Sequence, residues 1–152
     1  MNPDGFKSTH FLLIEDDPYH ADLISVAFQE HGPSNTLTHV PDGAEALNYL
    51  QRIEGSSDAA RPDVILLDLK LPKVDGHEVL SQLKQNRTLR TIPVVILTTS
   101  DSDADRAKAY ANSVNSYVIK PIEFDRFKKM ITDLRYYWST WNQSPVRPVA
   151  IG

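Results

Sequence analysis

Pro62-Asp63-Val64-Ile65-Leu66-Leu67-Asp68-Leu69-Lys70-Leu71-Pro72-Lys73 contains four consecutive apolar residues, Val64 to Leu67, that stop at a carboxylate. Because the run is continuous rather than alternating, a strand built from it must be covered on both faces. Phe11 to Ile14, Val94 to Leu97 and Tyr117 to Ile119 have the same character, and all four read as central parallel strands. Thr36-Leu37-Thr38-His39-Val40 alternates polar with apolar, which suits a strand at an edge.

Helical segments separate these runs. Asp17 can cap a helix that carries Pro18 at its first position and stops near Gly32-Pro33. Asp42 and Glu45 form a capping-box-like pair for a second helix through Ile53. Gly76 to Asn86 and Ser102 to Asn112 read as the third and fourth. From Glu123 to Trp141, the residues Phe124, Phe127, Ile131, Leu134, Trp138 and Trp141 recur three and four apart, giving a fifth helix with one apolar stripe. Five strands alternating with five helices predict an α/β fold, a flavodoxin-like (βα)5 doubly wound parallel sheet. The strand order 2-1-3-4-5 leaves the alternating second strand at an edge.

With 152 residues, the chain suits one compact domain. Residues 1–9 read as an N-terminal extension, 10–141 as the domain and 142–152 as a C-terminal tail; Glu54 to Pro62 reads as a loop-like insert. A net charge of −4 offers no basic surface for nucleic acid, and neither a signal peptide nor a membrane span is evident. The absence of cysteine rules out disulfides and thiolate metal sites and is compatible with a cytoplasmic location.

In open α/β sheets ligands bind at the carboxyl ends of the strands. Strand 1 ends in Glu15-Asp16-Asp17, strand 3 in Asp68, strand 4 in Thr98-Thr99-Ser100 and strand 5 in Lys120-Pro121. Clustered carboxylates repel one another unless they take up a proton or a cation. An oxygen-only donor set favours Mg2+, and the five histidines match no zinc spacing. Asp17, followed by Pro18, reads as a helix cap rather than a ligand. Asp68 can then serve as a carboxylate nucleophile toward phosphorus, with Lys120 and Thr98 stabilising charge on the transferred group.

The motifs Leu13-Ile14-Glu15-Asp16-Asp17, Leu66 through Gly76, Pro93 to Thr99 and Tyr117-Val118-Ile119-Lys120-Pro121, in that order, closely resemble the response regulator receiver domains of two-component signalling. This resemblance implies that Asp68 is the phosphoacceptor and that Glu15 and Asp16 are the acidic pair at the metal. It further implies that the Lys70 backbone carbonyl completes the Mg2+ site, that Thr98 and Tyr117 are the switch residues, and that Lys120 pairs with the phosphoryl group ahead of a cis Pro121. Glu15 stands where many relatives carry Asp. The Pro62 to Lys73 pattern with the insert before it, and the Tyr136-Tyr137-Trp138 ending, resemble single-domain regulators that partner phytochrome-type sensor histidine kinases. Output would then pass through protein contacts or onward phosphotransfer.

Three rival readings are weaker. A phosphohydrolase with an aspartyl nucleophile needs an acid-base carboxylate nearby, and Asp75 is the first acid after Asp68. Dinucleotide binding fails because no Gly-x-Gly-x-x-Gly follows a strand. An unphosphorylated adaptor would have no use for the full acceptor set. Finally, Tyr137, Trp138 and Trp141 supply more apolar area than the sheet requires and predict a homodimer through the last helix.

Overall fold

The computed structural model describes residues 8–30, 35–54 and 61–145. The elements run β1 (Thr9–Ile14), α1 (Pro18–Gln29), β2 (Asn35–Val40), α2 (Gly43–Glu54), β3 (Val64–Leu67), α3 (Gly76–Gln85), β4 (Val94–Thr98), α4 (Asp103–Ala111), β5 (Ser116–Ile119) and α5 (Phe124–Tyr136), followed by a π-helical turn, Tyr137–Trp141. All strand pairs are parallel, in the order β2-β1-β3-β4-β5. That is the sheet predicted from the sequence. The stop expected at Gly32-Pro33, the middle of the insert, most of the N-terminal extension and the last seven residues fall outside the described residues.

Successive residues of each central strand enter different cores. Leu12, Ile14, Ile65, Leu67, Val94 and Ile96 pack beneath α2, α3 and α4, together with Leu50, Leu80 and Leu83. Phe11, Leu13, Val64, Leu66, Val95 and Leu97 pack on the other face with Ile24 and Phe28 of α1 and Phe127 and Ile131 of α5. Fully burying one such side chain contributes about 1.5–3 kcal/mol, which is why the strands are apolar without a break.

The expectation that Tyr117 to Ile119 forms a central strand is corrected. β5 is bonded to β4 on one side alone and lies at the free edge of the sheet, with every residue at least partly exposed. A short apolar run looks the same in sequence whether one or both of its neighbours are present. No peptide bond among the described residues is cis, so Pro121 follows a trans bond, the isomer that X–Pro bonds favour by about 0.5–1 kcal/mol.

The last helix also departs from expectation. Phe127 and Ile131 are buried, but Phe124 and Trp141, the two ends of the predicted stripe, are 51% and 67% exposed. From Tyr137 the backbone widens to i→i+5 bonding, with Asn142 N–H donating to Tyr137 O at 2.9 Å. Ser139 Oγ donates to the Arg135 carbonyl at 2.6 Å and competes with the regular ladder. The wider turn carries Trp141 out of phase with the stripe.

Candidate functional site

β1, β3, β4 and β5 each deliver a side chain at or just past their last residue to one rim. Asp68 N–H donates to Ile14 O at 3.0 Å and Glu15 N–H to Val40 O at 3.2 Å, so the acids are held by continuations of the strand ladder. Lys120 N–H donates to Thr98 O at 2.7 Å and anchors the far side. The loop after β3 folds back tightly. Lys70 N–H caps Asp68 Oδ1 at 3.2 Å, and Gly76 N–H donates to Leu69 O at 2.9 Å. Lys73 is largely exposed, and its ammonium lies 3.5 Å from Asp42, whose carboxylate also caps Glu45 N–H at 2.8 Å.

Glu15, Asp68 and Lys120 are all buried, and the Lys120 ammonium donates to Glu15 Oε1 and to Asp68 Oδ2, the latter at 3.1 Å. Asp16 is exposed beside them. One carboxylate oxygen from each of Glu15, Asp16 and Asp68 lies within 4.8 Å of the others. Oxygen donors in this arrangement suit a hard divalent cation. Asp17 is set apart from this group: its Oδ1 accepts from Tyr19 N–H at 2.9 Å and caps α1, as the sequence implied.

Burial pushes the Glu15 carboxyl up to about 7, against the opposing bond and charge of Lys120. Burial also acts to raise Asp68, but the Lys120 charge and hydrogen bonds from Glu15, Lys120 and Lys70 N–H outweigh it and hold Asp68 below its usual range. The pair therefore shares its charge unequally, with Asp68 the ionised member. A folded chain that keeps a proton on Glu15 is most favoured at low pH. That advantage is complete below about 4.5 and is lost as pH rises through about 7. The Asp68 contribution is constant across this window, because it disappears only as pH falls below the usual carboxylate range. His20, lowered by burial and by the Lys120 charge, acts in the opposite sense up to about 6.5. The informative comparison is therefore between wild type and Glu15→Gln in chelator. The variant should gain stability relative to wild type between pH 5 and pH 7.5, on the order of 2 kcal/mol. Parallel thermal-melting profiles would show that Glu15 carries no such proton.

Thr98 is fully buried at the end of β4, and its Oγ1 accepts from Ser100 N–H at 3.4 Å, whereas Thr99 points to solvent. Tyr117 OH donates to Ser100 O at 2.9 Å, and the Arg106 guanidinium lies 5.8 Å from its ring centre. Thr98 and Tyr117 thus meet through Ser100. Sequence reasoning missed the carboxylate that fixes this loop. Asp105 of α4 accepts from Ser100 Oγ at 2.6 Å and contacts His77 Nε2 of α3 at 3.0 Å. Those two bonds, Ser100 first, hold its carboxyl below the ordinary range. His20, also missed, places Nδ1 3.1 Å from the Lys120 ammonium.

Residues 11–132 match the family described as the response regulator receiver domain. The chain belongs to that family. This receiver is 51% identical over 134 residues to the "Probable methanogenesis regulatory protein FilR2" of Methanothrix harundinacea, covering 88% of this chain and 86% of that one. It is 37% identical over 127 residues to the response regulator Rcp1 of Synechocystis, covering 84% and 86% of the two chains. The crystal structure of the Mn(2+)-bound form of Rcp1 superposes with a TM-score of 0.83 at 35% identity, over 91% of this receiver and 99% of that chain. That of the phosphorylated cyanobacterial phytochrome response regulator RcpA gives 0.84 at 35% identity, over the same shares. No helix among the described residues is long and apolar enough to cross a membrane.

Proposed function

We propose that this receiver works as a cytoplasmic, single-domain response regulator that accepts a phosphoryl group on Asp68 from a phosphohistidine of a partner sensor histidine kinase. The observation that carries this reading is the buried Asp68 carboxylate, held ionised between Lys120 and the Lys70 N–H and opening onto an acidic cluster. An Asp68 oxygen attacks phosphorus, the P–N bond to the donor imidazole breaks, and the imidazole leaves with the electron pair. The product is an acyl phosphate. Glu15, Asp16, Asp68 and the Lys70 carbonyl would hold Mg2+, which supplies charge neutralisation for the phosphoryl oxygens when bound. Lys120 keeps Asp68 oriented and presents its ammonium to the incoming group. In this reading the protein is a phosphoacceptor and not a turnover enzyme.

Thr98 and Tyr117 act as the switch. A Thr98 hydroxyl drawn toward phosphoryl oxygen would release Ser100 N–H, and Ser100 O is where Tyr117 OH is tied. Support for a phytochrome-type kinase comes from the likeness to Rcp1 and RcpA, at 35–37% identity. The 51% identity to a Methanothrix harundinacea regulator named for methanogenesis favours a second input class. Labelling with acetyl phosphate tests acceptance, and phosphotransfer rates from purified kinases of each class decide the input.

The same reading includes a homodimer through the last helix. Tyr137 and Trp138 border an open groove of about 610 Å³ with Met130 and Leu134 of α5 and Val118 of β5. Tyr137, on this groove, is 49% exposed, and Trp141, four residues on, is 67% exposed. Apolar area of this kind marks an interface. Light scattering over a concentration series should show wild type pairing and a Trp138→Ala, Trp141→Ala double variant pairing less. A wild type that stays monomeric at high micromolar concentration, phosphorylated or not, would remove the dimer.

A further inference from the structure

The Lys120 side chain is almost fully enclosed, at 2% exposure. An ammonium has three N–H donors and no acceptor. Two of its partners are the carboxylates of Glu15 and Asp68, and the third is Nδ1 of His20, at 3.1 Å. If Nδ1 carried a hydrogen, two donors would face each other at that distance in a desolvated setting. The competing partners for a protonated Nδ1 are Asp17 Oδ2 at 3.5 Å and Glu15 Oε1 at 3.9 Å, both farther away than the Lys120 ammonium. The ring itself is clamped. It lies nearly parallel to Phe127 of α5, with centroids 5.4 Å apart and planes 23° from coplanar.

We infer that His20 is a positioning residue for Lys120: a neutral imidazole with its hydrogen on Nε2, stacked on Phe127, accepts the third ammonium hydrogen and fixes Lys120 between the two carboxylates. Without that acceptor, nothing opposes the pull of Glu15 and Asp68, and the ammonium would settle deeper between them, away from an arriving phosphoryl group. The kinetic consequence rests on the phosphoacceptor reading, whereas the tautomer does not. Neither strand-end motifs nor spacing reveal this role, because His20 sits in the first turn of α1 and reaches Lys120 across 100 residues of sequence.

Two measurements test the inference. Two-bond proton–nitrogen NMR correlations on labelled wild type should show His20 with a bare Nδ1 and a protonated Nε2. A protonated Nδ1 overturns it. His20→Phe retains a ring on Phe127 but offers no acceptor, while His20→Asn places a carbonyl oxygen near the former Nδ1. With Mg2+ and acetyl phosphate, the Phe variant should label about tenfold more slowly and the Asn variant within about threefold of wild type. Thermal melts establish that both variants fold. A Phe variant as fast as wild type, or an Asn variant as slow as Phe, overturns the role. If wild type itself takes no label, the phosphoacceptor reading fails, and the tautomer alone decides whether His20 serves Lys120.

Discussion

Asp68→Asn is expected to abolish phosphoryl acceptance, with labelling by acetyl phosphate or a kinase falling by about a thousandfold or more. The amide matches the carboxylate in shape, so its oxygen can still accept from Lys70 N–H or from Lys120. It lacks the anionic oxygen that attacks phosphorus. Asp68 is the nucleophile of choice because Lys120 and Lys70 N–H hold it ionised, whereas Glu15 is pushed up to about 7 and carries the shared proton. Asp16 is exposed and has no such frame. Lys120 in the variant keeps its Glu15 and His20 partners, so the protein should fold. Intact-mass measurement of the Mg2+-dependent phosphoryl adduct reads the result. A variant that labels at the wild-type level would transfer the acceptor role to another side chain.

The second large effect comes from a residue with no side chain. A Cβ on Gly76 would lie 2.2 Å from the Asp68 carbonyl oxygen and 2.5 Å from Leu69 Cα. Both are backbone atoms that cannot rotate aside, and real contacts of this type are never so short. Gly76→Ala must therefore push the start of α3 away from the loop that carries Asp68. The expected cost is about 3 kcal/mol, measured as a lower denaturant midpoint. The strain falls on the Asp68 backbone itself, so the labelling rate should fall along with stability. Gly43 is in a similar position at the start of α2, where a Cβ would lie 1.7 Å from Val74 O. A Gly76→Ala variant with unchanged midpoint and labelling would mean that α3 does not approach Asp68 this closely.

These two residues also mark how much could be read beforehand. The fold was legible because burial on both faces leaves a continuous apolar run, and β1, β3 and β4 all carry one. The acid cluster was legible because each carboxylate ends such a run. Distinguishing the roles of Glu15 and Asp68 required the Lys120 geometry, since burial alone raises both. His20, Asp105 and His77, and the bonds that Ser100 makes at the rim, were missed for a common reason: these contacts join separate helices and loops, and no local period announces them. The strand order put β5 at an edge, but its apolar run was still read as a central strand, because a half-covered strand of four residues carries no alternation long enough to read. The π turn at Tyr137 carries a hydroxyl, Ser139, that bonds back to Arg135, and the three- and four-residue spacing of the stripe gives no warning of the turn.

That π turn has a spectroscopic consequence. Both tryptophans of the chain, Trp138 and Trp141, lie within its five residues, one half-buried and one exposed. They sit at the far end of a helix whose first turn follows the Lys120 rim, about 20 Å away at 1.5 Å per residue. Intrinsic fluorescence of this protein therefore views the end of the molecule opposite the acidic cluster. Tryptophan emission is a direct gauge of what touches the last helix, and it registers chemistry at Asp68 through motion carried by α5 or by β5, whose Val118 shares the Trp138 groove.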